Sequence, residues 1–373
     1  MHNSNTKRLL CILSSLDAGG AETFLMKIYR ALPTAQYQLD FVVSVDGGCY
    51  TEEVLAKGGR IWVIPERTKD FFGSFRGLRR IVKENRYDAV LKLGENPLAV
   101  TDLVAAKLGG AKCLALRACN APTEISLSAR ILYGLLRPWQ NRLATVKLAP
   151  SQLAADFLFG KGQDTKLIHN GVDLKVFRFD EEDRSRIRED FDLHGKLVVG
   201  HVGRFAPQKN HRFLLEIFQK ITEMRQDAVL LLVGIGPLEA QLRQQIRQLG
   251  LEDKVIFAGQ RFDIPAMLSA MDVFVFPSFH EGMPNTVIEA QATGLPCLIA
   301  DTITREADIT GLVHYDSLDR SSEEWAEGAL SLVSERRAST EEAFRRKGYD
   351  IASVALELME LMFRGGRDDA CER

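Results

Sequence analysis

Residues 273–290 read Val-Phe-Val-Phe-Pro-Ser-Phe-His-Glu-Gly-Met-Pro-Asn-Thr-Val-Ile-Glu-Ala. The apolar run Val273–Phe276 is typical of a buried strand, a loop with a glycine follows it, and a helix is expected from Asn285 to Thr293. A strand that leads through such a loop into a helix turns backbone N–H groups and the positive helix end toward a bound anion. This order therefore predicts a phosphate site in a parallel α/β sheet.

Two carboxylates of this stretch, Glu281 and Glu289, are separated by seven residues. Glu289 would lie about one turn into the helix, from where its carboxylate can accept hydrogen bonds from a ribose diol. The alternative is that both are solvated charges at a helix end. With the strand, the loop and Gly294-Leu295-Pro296, the pair resembles the E-x7-E signature of glycosyltransferase family 4, the retaining sugar-nucleotide transferases of GT-B fold. The resemblance implies donor-binding contacts from Glu281, Gly282, Met283, Pro284, Asn285, Thr286 and Glu289.

Composition and length describe a globular protein of two domains. The chain has 373 residues, of which 46% are hydrophobic and 26% charged, and a single core seldom grows past about 250–300 residues. Its six cysteines have neither a CxxC spacing nor the spacing of metal ligands, so we expect reduced thiols in a cytoplasmic protein without a metal or other cofactor. No apolar run approaches the length that spans a bilayer.

Charge is unevenly distributed along the chain. Residues 1–175 contain 24 Lys and Arg against 16 Asp and Glu, whereas the remainder contains 24 against 34. The net charge of −2 is therefore the sum of +8 and −10. A basic first half favours an anionic partner for that half.

Short apolar runs alternate with helix-period segments along both halves, which is typical of parallel sheets covered by helices. The expected strands are Arg8–Ser14, Leu39–Val45, Arg60–Ile64, Ala89–Leu93, Lys112–Leu116, Leu143–Pro150, Leu197–Val202, Ala228–Val233, Val255–Ala258, Val273–Phe276 and Pro296–Ala300. The fold class predicted is α/β, with two doubly wound, Rossmann-like domains facing each other across a cleft. We expect an N-terminal acceptor-side domain at 1–175, a nucleotide-sugar domain at 190–348, and a helix near 349–364 that returns to the first domain.

Arg204 and Lys209 lie five residues apart in the loop after the strand Leu197–Val202, where they can converge on one diphosphate. Two solvated loop charges are the alternative. The run resembles the family's diphosphate motif, and with Glu281 these residues form the predicted catalytic set. The cation pair would neutralise a leaving UDP without a metal ion.

Three further donor contacts are predicted on glycine loops. Gly19 and Gly20 follow the first strand and resemble the phosphate loop of the family's first domain, although paired glycines also form simple turns. Gly234 lies in Gly-Ile-Gly-Pro, which lacks the third glycine of a dinucleotide fingerprint and resembles the family's nucleotide-pocket turn. Arg261 occupies the loop where the family holds the base, with a surface arginine as the alternative.

The first half departs from the family in one respect. Many relatives carry a histidine near the transferred sugar, but no histidine lies between residues 3 and 168 of this chain. Arg117 or Asn120 can take part at the sugar or leaving phosphate instead, and Glu95 can orient an acceptor hydroxyl. The alternatives are that Arg117 is an ordinary loop arginine and that Cys119, in the same run Arg117-Ala118-Cys119-Asn120, is a buried thiol.

Two basic segments with aromatic residues, 70–83 and 128–147, are typical of helices that lie on anionic lipid. Helices of this composition more often pack on a sheet with their charges outward, which is the alternative. No nucleic-acid-binding module accompanies them, so nucleic acid is not an expected partner.

The resemblance, close also to exopolysaccharide-biosynthesis members over Leu10–Met26, implies a metal-independent hexosyltransferase. It would move a sugar from a nucleotide donor, by expectation UDP-linked, to a lipid-linked saccharide at the inner face of the cytoplasmic membrane. The rival hypotheses are a nucleotide-sugar epimerase or phosphorylase on the same fold, a non-catalytic nucleotide-sugar-binding protein, and a nicotinamide dehydrogenase.

Overall fold

The computed structural model describes residues 6–17, 19–94, 98–119, 127–333 and 337–364, with the side chains of 127–130 excepted. The chain divides into two compact units. The first comprises residues 1–171 together with 348–373, and the second comprises residues 172–347.

The first unit is built on a seven-stranded parallel sheet in the order β3-β2-β1-β4-β5-β6-β7. Its strands are β1 (Lys7–Ile12), β2 (Tyr37–Val43), β3 (Ile61–Val63), β4 (Ala89–Gly94), β5 (Cys113–Ala118), β6 (Val146–Ala149) and β7 (Lys166–Leu167). The chain winds outward in one direction from β1 and then returns to start again at β4. This reversal makes the sheet doubly wound.

Helices cover both faces of this sheet. They are α1 (Gly20–Ala31), α2 (Thr51–Ala56), α3 (Phe71–Asn85), α4 (Ala99–Gly109), α5 (Leu127–Leu143), α6 (Gln152–Phe159) and the C-terminal α14 (Ile351–Phe363). One apolar core joins the sheet to α1, α2 and α14, and a second joins it to α3, α4, α5 and α6. Within the described parts of the chain, no helix has the length and apolarity that a bilayer crossing requires.

The second unit has a six-stranded parallel sheet in the order β10-β9-β8-β11-β12-β13. Its strands are β8 (Leu197–Val202), β9 (Ala228–Val233), β10 (Val255–Gly259), β11 (Val273–Phe276), β12 (Cys297–Ala300) and β13 (Val313–Asp316). Its helices are α7 (Glu181–Asp190), α8 (His211–Met224), α9 (Glu239–Leu249), α10 (Ile264–Ala270), α11 (Asn285–Ala292), α12 (Ser322–Ser331) and α13 (Glu341–Arg346). The winding reverses between β8 and β11, so ligands are expected beyond the carboxyl ends of these two strands.

The predicted α/β class with two doubly wound sheets is confirmed, and β8, β9 and β11 have the predicted bounds. Two edge strands, β7 and β13, were missed. β7 has only two residues, and β13 reads Val-His-Tyr-Asp, which contains no apolar run. The predicted strand Leu143–Pro150 is shorter because α5 continues through Leu143.

A buried carboxylate ties together three parts of the first unit. Asp40 on β2 is fully buried and accepts hydrogen bonds from Arg8 Nε at 2.7 Å, from Tyr87 Oη at 2.6 Å and from the Arg60 amide at 2.7 Å. Burial, followed by the hydrogen bond to Asp40, raises the pKa of Tyr87 far above its usual range, so the phenol remains a donor at neutral pH. The carboxylate is thus fully satisfied by groups that come from distant parts of the sequence.

We expect Asp40→Ala to destabilise the first unit by about 3–5 kcal/mol, because it leaves the part-buried Arg8 guanidinium without its partner. Glu53→Ala is the matched control, since it breaks the Arg30–Glu53 pair, whose side chains are 47% and 33% exposed. That loss should stay below about 1 kcal/mol. Urea unfolding followed by circular dichroism measures both, and equal losses would contradict a structural role for the Asp40 network.

Candidate functional site

The loops that follow β8 and β11 lie together at the winding reversal of the second unit. The two strands are parallel neighbours, so both chains leave the sheet at the same edge. The loops are joined by a hydrogen bond from the Phe279 amide to Gln208 O at 2.9 Å and by one from Gln208 Nε2 to His280 O at 2.8 Å. The two loops that carry Arg204, Lys209 and Glu281 therefore lie at one site.

Lys209 and Glu281, 72 residues apart in sequence, form an ion pair there. Lys209 Nζ lies 2.6 Å from Glu281 Oε1, and the two side chains are only 17% and 11% exposed. The ammonium group also lies 4.6 Å from the centre of the Phe276 ring, at the end of β11. Each charge is held by the other in a partly desolvated place, where an added anion would compete with Glu281 for the ammonium group.

Arg204, the second predicted cation, is exposed on the same loop. Among the described residues, its guanidinium makes neither a hydrogen bond nor an ion pair. Between the two cations the chain enters a single 3₁₀ turn, Pro207–Lys209, and Asn210 follows this turn with a left-handed φ of 53°. Lys209 is paired with Glu281 and only 17% exposed, whereas Arg204 is exposed and available to an incoming anion.

Gly234 and Gly236 are required by the close approach of two loops. A Cβ on Gly234 would lie 2.1 Å from Gly203 O, and one on Gly236 would lie 2.4 Å from Phe205 O. Gly234 also has a φ of 139°, which side chains disfavour. The Gly-Ile-Gly-Pro turn therefore holds the loop that carries Arg204, and Gly234 acts on the predicted site through backbone packing.

Helix α11 starts directly behind Glu281. Pro284 precedes the helix and has no side-chain acceptor, so the side chain at the N-cap does not bond to the first amides. Met283 packs against the core of the unit, whereas Gly282 and Thr286 are half-buried and Asn285 is exposed. Glu289 lies on the second turn and is half-buried. The predicted order of strand, loop and helix is present, and the donor contacts assigned to these residues stay predictions.

Two histidines beside this loop, His201 and His211, are buried and were not among the predicted site residues. His201 on β8 donates from Nδ1 to Val275 O at 2.9 Å, since a carbonyl only accepts, and this leaves Nε2 with a lone pair. Within the described residues, His201 Nε2 and both ring nitrogens of His211 have no hydrogen-bond partner. Burial lowers the pKa of His201 well below its usual range, and burial and then Lys209 lower that of His211 to about 4. Both rings are therefore neutral beside Lys209.

Arg261, predicted near the base of the nucleotide, is held by a neighbour. Its guanidinium makes a bidentate pair with Asp263, with Nε and Nη2 at 2.8 and 2.6 Å from the carboxylate oxygens. This pairing lowers the pKa of Asp263. The side chain is 29% exposed, so the pair is accessible, but a role in base binding stays a prediction.

In the first unit, Gly19 and Gly20 stand at the start of α1, as the predicted phosphate loop requires. A Cβ on Gly19 would lie 2.2 Å from Glu22 Oε2, so the carboxylate of the helix's own first turn folds back against the loop. An anion at this helix start would have to displace Glu22. Glu22 was not among the predicted site residues, although its position in the first turn of α1 follows from the sequence.

Arg117, predicted on the acceptor side, is a buried residue of β5 with 1% exposure. Its Nη2 donates to Ile168 O at 3.0 Å and to Asn170 Oδ1 at 2.8 Å, and the guanidinium stacks 3.6 Å from the centre of the Phe24 ring. Burial lowers its pKa to about 10. These contacts hold the Arg117 side chain in the interior of the first unit. Asn120 and Glu95, the other two predicted acceptor-side residues, lie outside the described residues.

Two family models match the chain. The model described as Glycosyltransferase Family 4 matches residues 18–176, and the model described as Glycosyl transferases group 1 matches residues 196–335. EpsF of Bacillus subtilis (strain 168), which carries a provisional glycosyltransferase name, is 33% identical over 93% of this chain and 94% of its own length. The UDP-Gal:alpha-D-GlcNAc-diphosphoundecaprenol alpha-1,3-galactosyltransferase of Escherichia coli is 26% identical over 76% of each chain.

Solved structures with the same fold include Anabaena HepE in complex with UDP and glucose. It matches 95% of this chain and 98% of its own with a TM-score of 0.75 and 22% identity. A glycosyltransferase from Rickettsia africae matches 98% and 100% with a TM-score of 0.80 and 18% identity. At such identities the likeness shows the fold alone, and it confirms the predicted GT-B architecture.

The buried neutral histidines predict a pH dependence of folding stability. A folded-state pKa of about 4 for His211, below its unfolded value of about 6.5, gives stability that is complete above pH 6.5 and is lost as pH falls. Between pH 7.5 and 5, the loss of unfolding free energy that comes from His211 should be on the order of 2 kcal/mol. His211→Phe, which keeps the ring packing without the titration, should reduce this loss in urea unfolding. The exposed His194→Gln is the control, and an unchanged pH slope in His211→Phe would refute the assignment.

Proposed function

Because this chain belongs to glycosyltransferase family 4, we propose that it transfers a sugar, with retention, from a UDP-linked donor to a lipid-linked saccharide. That the protein is a glycosyltransferase follows from the family itself. The observation that carries the finer proposal is the Lys209–Glu281 pair at the winding reversal. Arg204, on the same loop as Lys209, is exposed and makes no ion pair within the described parts of the chain. Together these residues set two cations and a carboxylate where this class of sheet binds its ligands.

UDP is supported as the nucleotide by two of the similar proteins. HepE is described in complex with UDP and glucose, and the Escherichia coli relative is named for UDP-Gal and an acceptor on diphosphoundecaprenol. From them we take a UDP-hexose as donor and a saccharide on a lipid diphosphate as acceptor, in cell-surface polysaccharide synthesis. The acceptor would bring the protein to the inner face of the cytoplasmic membrane as a peripheral protein.

In the proposed reaction, Lys209 and Arg204 bind the diphosphate. Positive groups fixed at the place where charge develops commonly make the largest contribution to lowering a barrier. Lys209 would exchange Glu281 for the donor, and the freed carboxylate would accept hydrogen bonds from sugar hydroxyls. The amides at the start of α11 would lie beside it, and Glu289 would hold the ribose diol. Because these cations neutralise the departing UDP, the proposal includes no metal ion.

Retention is proposed to occur by attack on the face that the leaving group occupies. The bond between the anomeric carbon and the UDP oxygen breaks, and the acceptor oxygen forms its bond to the anomeric carbon on the same side. The acceptor proton passes to the departing phosphate oxygen, so UDP itself serves as the base. The role of the protein is to fix the diphosphate and the sugar, through Lys209, Arg204 and Glu281.

We expect Lys209→Ala to lower turnover by about a hundredfold or more, because a preorganised charge at the leaving group is lost. The change also leaves Glu281 without its cation, so a Lys209→Ala/Glu281→Gln double variant tests stability separately. The double variant should regain stability in urea unfolding without regaining turnover. Lys220→Ala, on the exposed side of α8, is the control for both assays. UDP release from a panel of UDP-sugars with a lipid-linked acceptor measures turnover, and near-normal turnover in Lys209→Ala would remove the assigned role.

UDP at about 100 times its dissociation constant should stabilise the protein by about 2.7 kcal/mol, which raises the melting temperature by several degrees. Glu289→Ala should lose most of this shift, whereas Glu223→Ala, at the end of α8, should keep it. A shift with GDP or ADP instead of UDP would change the donor class. No shift with any nucleotide would contradict the proposal and also the alternative of a non-catalytic nucleotide-sugar-binding protein, whereas a UDP shift without turnover would favour that alternative.

A further inference from the structure

Helix α5 of the first unit presents a continuous apolar face to solvent. Ile131, Leu135 and Trp139 recur every four residues and are 57%, 65% and 63% exposed. Gly134 and Pro138, between them on the same face, are exposed as well. Residues four apart lie above one another on a helix, so these side chains form one stripe. A contiguous apolar patch of this kind commonly marks an interaction surface.

The opposite side of α5 is already fixed to the unit. Tyr133 and Gln140 are buried, Arg137 donates to Phe157 O at 2.9 Å, and Asn141 donates to Phe159 O at 2.8 Å. These contacts hold the helix to α6 and orient its outer face. Packing of the unit therefore does not require the apolar stripe, which is left available to a partner.

The surroundings of the stripe are positively charged. Residues 127–143 contain three arginines and no acidic residue. The segment 71–161, which forms α3 to α6 and the strands between them, contains 14 Lys and Arg against 6 Asp and Glu. This segment alone thus accounts for the excess of +8 in residues 1–175. Arg76, Arg79, Arg80 and Lys83 of α3 are all exposed.

We propose that the outer face of α5 inserts into the interface of an anionic lipid bilayer, with Trp139 at the level of the headgroups. An apolar stripe with a tryptophan, flanked by arginines and free of acids, matches the chemistry of such a surface. Each nearby Lys or Arg adds electrostatic attraction to anionic lipid. A second copy of the chain fits less well, because a symmetric contact would bring two positively charged layers together.

The proposed membrane surface deepens the proposed function and rests on it for the lipid-borne acceptor. The vesicle test does not measure turnover, so the two proposals can fail separately. Sugar transfer without binding to vesicles would refute only the membrane surface. Binding without UDP recognition would refute only the proposed function.

The full-length protein is sedimented with vesicles of phosphatidylcholine alone and with 30% phosphatidylglycerol added. We expect binding to the anionic vesicles that weakens with salt. Leu135→Ser/Trp139→Ser should reduce the partition coefficient at least about tenfold, since two apolar side chains no longer enter the interface. The matched control is Leu55→Ser/Leu356→Ser, two exposed leucines on α2 and α14, which belong to the layer on the other face of the sheet. Wild-type circular dichroism and an unchanged urea unfolding midpoint show that both variants are folded.

Brominated lipid provides a second readout at the residue itself. It should quench the tryptophan fluorescence of the wild type, while Trp139→Phe should still bind and show little quenching. Absence of binding to anionic vesicles, or binding unaffected by the α5 variant, would overturn the proposal. A concentration-dependent dimer in ultracentrifugation that the α5 variant abolishes would also overturn it, because the stripe would then contact a second copy.

Discussion

The adjacency of two parallel strands, β8 and β11, is the constraint on which the rest of the second unit depends. Because the winding reverses between them, the chains that leave their carboxyl ends turn to opposite faces and leave space at the edge of the sheet. The Lys209–Glu281 pair and the start of α11 beside it follow from that placement, whereas the packing of Gly234 on Gly203 depends on the pairing of β8 with β9. Moving either strand in the order would separate the groups that form the site.

Among the described residues, two arrangements of charged side chains differ in how many partners each charge has. Asp40, and Asp272 at the start of β11, are each satisfied by at least two different donors, and Asp272 receives Arg184, Arg188 and the Val198 amide, each at 2.7 Å. These carboxylates fix helices and strands to one another. Lys209 and Glu281 are held mainly by each other, beside one aromatic ring. A pair with so few other contacts can exchange a partner for a ligand at a smaller cost than a network can.

In the first unit, two of the predicted ligand residues already have contacts within the unit. Arg117 stacks on Phe24 and donates to Ile168 and Asn170, and the Gly19 loop is approached by the Glu22 carboxylate. A ligand contact for either residue stays a prediction, because residue type and position in the sequence do not reveal these contacts. In contrast, α5 appeared in the sequence as one of two basic amphipathic segments, and its exposed face was not distinguishable from a face that packs.

By itself, the sequence determined the class of fold, most strand positions and the local order of strand, loop and helix around Glu281 and Glu289, because these depend on apolar runs, glycines and short spacings. It also placed Arg204 and Lys209 on one loop. Only the tertiary structure decided that Lys209 meets Glu281, that His201 and His211 are buried and neutral beside them, and that Ile131, Leu135 and Trp139 face solvent. Those outcomes depend on which strands are neighbours and which helix face meets the sheet, and such contacts join residues that are far apart in the chain.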